Sequence, residues 1–108
     1  MRQGEGQGDE RTAVYVGRLS PEKAPDLLID AWLDAVPAAS ASKLILVGDG
    51  GMRDSLALQI RTAGRGHQVH LLGPQEDVTP FLRKADFAVI PSLYEGLSNA
   101  LLEYMAAG

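Results

Sequence analysis

No cysteine occurs anywhere in this chain of 108 residues. That absence removes disulfide scaffolds, thiolate metal sites and cysteine nucleophiles together. Aromatic residues are scarce, at 6% with a single tryptophan, and Trp32 reads as core within a leucine stripe rather than as a stacking platform. There is no basic block either. The 10 Lys+Arg stand against 14 Asp+Glu, a formal charge of −4, which argues against a dedicated nucleic-acid surface. No apolar run approaches the roughly 20 residues of a transmembrane helix, and the N-terminus lacks the apolar stretch of a signal peptide. What is present is the texture of a globular protein, 45% hydrophobic and 22% charged. At about 150 residues per domain, the length supports one domain at most. The expectation is a small cytoplasmic domain, short for its class.

Residues 1–11 carry Gly4, Gly6 and Gly8 among polar residues, with no aliphatic anchor after Met1, and read as a flexible lead-in. From Thr12 to Gly108 the pattern changes. Four continuous apolar runs, 13–16, 43–47, 69–72 and 87–90, have the character of strands buried on both faces of a parallel sheet. Helical periods separate them. Over 26–36, Leu27, Leu28, Ala31, Trp32 and Ala35 form a stripe, with Pro25 at the entrance and Pro37 as a stop. Over 52–63, Met52, Leu56, Ile60 and Ala63 share a face that Gly64 ends. Shorter helices are expected over 78–84 and 97–107. The order βαβαβαβα implies an α/β, Rossmann-like fold with right-handed crossovers. In such sheets ligands bind beyond the carboxyl ends of the strands, where the strand order reverses. If the order is 3-2-1-4, the loops after Val16 and Ile90 flank that crevice.

Both loops carry chemistry. The first runs Gly17-Arg18-Leu19-Ser20-Pro21-Glu22-Lys23. A guanidinium at Arg18 can hold a diphosphate bidentately and the Lys23 ammonium adds a point charge. Two solvated surface cations would look the same in sequence. The second runs Pro91-Ser92-Leu93-Tyr94-Glu95-Gly96-Leu97-Ser98-Asn99 into the last helix, whose free N–H groups and dipole suit an anion. Glu95 and Glu103 are separated by about 12 Å of helical rise, so they would touch different parts of one extended ligand. Complementing the helix dipole and facing solvent are the plainer roles for these two.

The remaining motifs exclude more than they assign. Gly48-Asp49-Gly50-Gly51 imitates a dinucleotide fingerprint, but Arg53 occupies the position of its third glycine, and no acidic residue follows where the ribose would need one. Nicotinamide binding is therefore discounted. His67 and His70, three apart on a strand, point to opposite faces and do not chelate one metal.

Taken in series, Gly17–Lys23, Leu46-Val47-Gly48-Asp49-Gly50, Leu71-Leu72-Gly73, Ala85-Asp86-Phe87 and 91–103 resemble the retaining glycosyltransferases of family 4. More narrowly, they resemble the C-terminal, nucleotide-sugar-binding lobe of that family's two-Rossmann-domain (GT-B) fold. The resemblance covers 14–108, and Glu95 with Glu103 matches its E-x7-E motif. It implies that Arg18 and Lys23 grip the donor diphosphate and that the Glu95 carboxylate, the catalytic candidate, addresses the transferred sugar. The backbone of Gly96, Leu97 and Ser98 would bind donor phosphate and sugar, and Glu103 the ribose hydroxyls. Gly48, Gly50, Leu72 and Gly73 would line the nucleobase pocket. No metal and no cofactor are implied. The donor would be a UDP-, GDP- or ADP-linked sugar, and the acceptor a glycan or lipid met through an N-terminal domain not contained in these residues.

The chain departs from the family in three places. Ala24 stands where glycine is usual, Gly51 where proline is common, and Tyr104 where a small residue is. The resemblance also implies a truncated lobe, inactive alone, from a parent that is cytoplasmic or peripheral to the inner membrane face. A stand-alone nucleotide-diphosphate module and a piece of a GT-B epimerase or phosphorylase remain open at this level.

Overall fold

The computed structural model describes residues 10–89. Four parallel strands, β1 (Thr12–Val16), β2 (Lys43–Val47), β3 (Val69–Gly73) and β4 (Phe87–Val89), form one sheet in the order β3-β2-β1-β4. Three helices connect them: α1 (Pro25–Ala35), α2 (Arg53–Ala63) and α3 (Thr79–Lys84). β1 is central, pairing Thr12 to Val16 with Lys43 to Val47 on one side and Ala13 to Tyr15 with Phe87 to Val89 on the other. With right-handed crossovers, the two connections that step toward β3 place α1 and α2 on one face, and the return to β4 places α3 on the other. The α1–α2 contact agrees: Gln59 Nε2 donates to the Asp26 carbonyl and to Asp30 Oδ1.

The main core lies under α1 and α2, where Ala13, Tyr15, Leu44 and Leu46 of the sheet meet Leu28, Ile29, Trp32, Leu56 and Ile60. Val14 and Val47 are buried outside that cluster. The helical stripe differs in detail from the sequence expectation. Leu27 is 63% exposed, and Ile29 takes its place inward. Leu27, Leu28 and Ile29 are consecutive, so they span about 200° of the helix circumference, and only part of that arc can face the sheet. Ala63, expected on the buried face of α2, is exposed in the last turn. The strands are also less evenly covered than expected. β1 and β2 are buried centrally, but β3 is, with β4, an edge strand among the described residues. There Leu71 is half-buried and Leu72 exposed.

α1 begins under strain. Ala24, its N-cap, has φ 54° and ψ 47°, the left-handed region in which an L side chain is disfavoured. This is the position where glycine is usual, and the backbone supplies the reason. Replacing Ala24 with glycine is expected to stabilise the fold by about 1 kcal/mol. Urea denaturation measures it; a destabilised variant would contradict the strain.

The other end of α1 is closed from outside. α1 has no basic residue in its last turn, and Arg65 supplies the donors instead. Its Nη1 donates to the Val36 carbonyl at 2.9 Å and its Nη2 to the Leu33 carbonyl at 3.4 Å. A cation at a helix C-terminus is favourable for the dipole as well as for the orphan carbonyls.

Candidate functional site

The carboxyl ends of β1, β2 and β3 are joined turn to turn by their backbones. Gly17 N–H donates to the Val47 carbonyl at 3.1 Å, and Gly48 N–H to the Gly73 carbonyl at 3.1 Å. One step further out, Leu19 N–H reaches the Asp49 carbonyl and Met52 N–H reaches the Leu19 carbonyl, each at 3.0 Å. Leu19 is buried, an apolar plug that pins an otherwise polar loop to the core. Two glycines make this closeness possible. A Cβ on Gly48, whose φ is +146°, would stand 1.9 Å from the Gly17 carbonyl oxygen, and one on Gly50 would stand 2.4 Å from that of Leu19. Neither backbone atom can give way. The turn after β2 is thus bare where it meets the turn after β1, and the two backbones pack in direct contact.

Arg18 and Lys23 belong to the turn after β1 that this contact holds in place. Tyr15, buried beneath the loop, donates its hydroxyl to the Arg18 carbonyl and so fixes the backbone from which the exposed guanidinium extends. Burial pushes the Tyr15 phenol up to about 12, so the hydroxyl keeps its proton throughout the neutral range. A 3₁₀ turn, Pro21–Lys23, then carries Lys23, whose N–H donates to the Ser20 carbonyl at 3.0 Å. Glu22 lies between the two cations in sequence. A hydrogen bond to its own backbone N–H holds its carboxyl below the usual value, with Ser20 and the Lys23 and Arg18 charges adding to the effect. The loop therefore presents two cations and one ionised carboxylate at neutral pH.

The strand order places this loop at the crevice. In the order β3-β2-β1-β4 the direction of winding reverses between β1 and β4, so the loop after β1 forms one wall of the switch point. The loop after β4 is the opposite wall that the sequence leads one to expect. Its candidates Glu95, Gly96, Leu97, Ser98 and Glu103, and the helix expected over 97–107, lie outside the described residues. The four base-pocket candidates are placed together in part. Gly48 and Gly73 are hydrogen-bonded to each other, Gly50 closes the same turn as Gly48, and Leu72 is exposed at the end of β3.

The pattern of the glycosyl transferases, group 1, matches residues 10–108. This chain belongs to that family. Among its relatives is an uncharacterized glycosyltransferase of Methanocaldococcus jannaschii, 38% identical over 104 residues, which cover 94% of this chain and 26% of that protein. Another is the N-acetylgalactosamine-N,N'-diacetylbacillosaminyl-diphospho-undecaprenol 4-alpha-N-acetylgalactosaminyltransferase of Campylobacter jejuni, 33% identical over 97 residues, 90% of this chain and 26% of that one. Of solved structures, Anabaena HepE in complex with UDP-glucose superposes with a TM-score of 0.63 at 32% identity, covering 81% of this chain and 24% of its own. TarM superposes at 0.71 with 27% identity, covering 92% and 20%. The chain spans about a quarter of the length of the curated relatives it matches. Its sheet is a Rossmann-like lobe of the GT-B type.

Within this group 1 glycosyltransferase lobe, three residues at or under the site have no role assigned by the sequence motifs. Tyr15 read only as one apolar position of a strand, and Leu19 as a loop residue. A lone leucine between Arg18 and Ser20 was the available signal for an anchor. Arg53 read as a missing glycine, yet its side chain lies against Gly73: a Cβ there would stand 3.0 Å from Arg53 Nη1. The histidines are apart from the site. His67 Nε2 bonds the Ala38 carbonyl at 2.8 Å, and no group of three metal-ligating side chains forms among the described residues. A shallow groove of about 530 Å³ lies elsewhere, on the flank of α2 and β3 between Ile60, Val69 and Leu71. No helix among the described residues is long and apolar enough to cross a membrane.

Proposed function

We propose that this lobe holds the nucleotide-diphosphate sugar of a retaining glycosyltransferase that transfers a hexose to a glycan or lipid acceptor. One observation carries the reading: Arg18 and Lys23 stand on a loop anchored by Tyr15 and Leu19, packed on the Gly48–Gly50 turn and beside the β1–β4 switch point. The leaving diphosphate gains negative charge as its bond to the sugar breaks. Donors already fixed in place stabilise that charge without reorganising at the moment of reaction. Arg18 would hold two phosphate oxygens in its fork, and Lys23 would add a compact charge. No metal is needed for such a grip. From the other wall, Glu95 would address the transferred sugar, the backbone of Gly96, Leu97 and Ser98 the phosphate and sugar groups, and Glu103 the ribose. The complexes of HepE with UDP and with UDP-glucose, at 32% identity, favour a uridine donor.

Titration calorimetry with UDP, GDP and ADP tests the reading. The chain is expected to bind at least one of them, and Arg18→Ala to weaken that binding by about 1.5–3 kcal/mol, the contribution of a charged hydrogen-bonding partner. Equal affinity in the variant would contradict the phosphate assignment.

A further inference from the structure

We propose that Arg53 reads the base of the nucleotide and favours one that presents a carbonyl oxygen, uracil or guanine, over adenine. The inference rests on the nucleotide-site reading above and assigns a residue that the motifs left unused. Arg53 opens α2, and its N–H donates to the Gly50 carbonyl at 3.2 Å, which roots the side chain in the turn after β2. From there the side chain crosses to the turn after β3. A Cβ built on Gly73 would stand 3.0 Å from Nη1 and 4.0 Å from Cζ and Nη2, so the guanidinium occupies the space that the glycine leaves open. Gly73 is itself held to the Gly48 N–H at 3.1 Å. The half-buried Arg53 thus links two of the turns' glycines, Gly50 and Gly73, at the β3 end of the site.

Its position separates it from the phosphate cations. Arg18 and Lys23 follow β1, and Gly73 ends β3, two strands away. Two strand spacings are about 10 Å, a gap that a ribose bridges between diphosphate and base. A guanidinium offers donors only. Uracil and guanine present carbonyl oxygens to such a group, and guanine adds N7 beside its oxygen. Adenine sets an amino donor next to N7, so the same fork meets one acceptor and one opposing donor and keeps a single bond.

The test is titration of the chain and of two variants, Arg53→Ala and Arg53→Gln, with UDP, GDP, ADP and inorganic pyrophosphate. Arg53→Ala is expected to weaken UDP and GDP about tenfold, the loss of one charge-assisted hydrogen bond, and to change ADP and pyrophosphate by about twofold or less. Arg53→Gln, which keeps a polar stem with one donor group, is expected to lose less. Equal losses for all three nucleotides would overturn base selection, and a pyrophosphate loss matching that of UDP would make Arg53 a phosphate ligand instead. If the wild-type chain binds UDP or GDP and both variants bind equally well, the Arg53 assignment alone falls. A wild-type chain that binds none of the four overturns the nucleotide-site reading, and Arg53's role with it.

Discussion

Gly48→Ala is expected to destabilise the fold by about 3 kcal/mol or more, the cost of a forbidden backbone conformation and a backbone collision together. At φ +146° an L side chain is disfavoured on its own account. The added Cβ would also stand 1.9 Å from the Gly17 carbonyl oxygen, with Gly17 nitrogen and carbonyl carbon behind it. Relief would require β1 and β2 to part at their carboxyl ends. That movement would strain the Gly17–Val47 and Gly48–Gly73 hydrogen bonds at once. The same movement would shift the base from which Arg18 projects, so nucleotide binding should fall along with stability. Gly51→Ala is the control. A Cβ there has nothing within 4 Å, and its cost should stay within about 0.5 kcal/mol. Urea denaturation of the two variants measures the difference, and equal midpoints would contradict the account of the turn.

The second large effect lies at the other end of the sheet. Gln68 is fully buried just before β3 and acts as a polar tie between distant segments. Its Oε1 accepts from Trp32 Nε1 at 3.3 Å and from Arg65 Nη1 at 2.9 Å. Its Nε2 donates to the carbonyls of Pro37, Ala38 and Ser40 at 2.7, 3.3 and 3.0 Å. With two hydrogens for three acceptors, one of these bonds is shared. Gln68→Leu keeps most of the volume and none of the pairing. It leaves the buried indole N–H without a partner and removes the amide tie to the 37–40 segment, although the Pro37 and Ala38 carbonyls keep Ser40 N–H and His67 Nε2; the expected loss is about 2 kcal/mol. Chemical denaturation with the Trp32 fluorescence as probe would show it. A variant as stable as the parent would mean that water replaces the amide at no cost.

What the sequence discloses here divides by range. β2 is read at its observed limits because a continuous apolar run between polar flanks is a local signal, and α2 ends at Gly64, whose φ of 71° is the common glycine stop. The switch-point loop with Arg18 and Lys23 follows from element order alone, and the observed strand order matches the arrangement that directs attention there. Side-chain direction is less legible. Nothing in Leu27-Leu28-Ile29 says which way the helix turns its apolar arc, and that is settled by the sheet beneath. Gln68 is silent in sequence because all its partners but Arg65 lie about 30 residues away, too far for any local pattern to mark. Arg53 is misleading for a related reason: as a broken fingerprint it signals only what does not bind, and its contact with Gly73 exists through the sheet. At Ala24 the sequence shows only an alanine where glycine is usual, and the backbone angle shows what a glycine would relieve.

The central claim is that Arg18 and Lys23 hold the diphosphate of a nucleotide, and a comparison of UDP with uridine tests it most directly. Both ligands carry the base and ribose, and only UDP carries what the two cations are placed to grip. Titration of the Arg18→Ala/Lys23→Ala variant should show UDP affinity reduced by at least about tenfold, with uridine bound as the parent binds it. Equal losses for UDP and uridine, or an undiminished affinity for UDP, would contradict the claim.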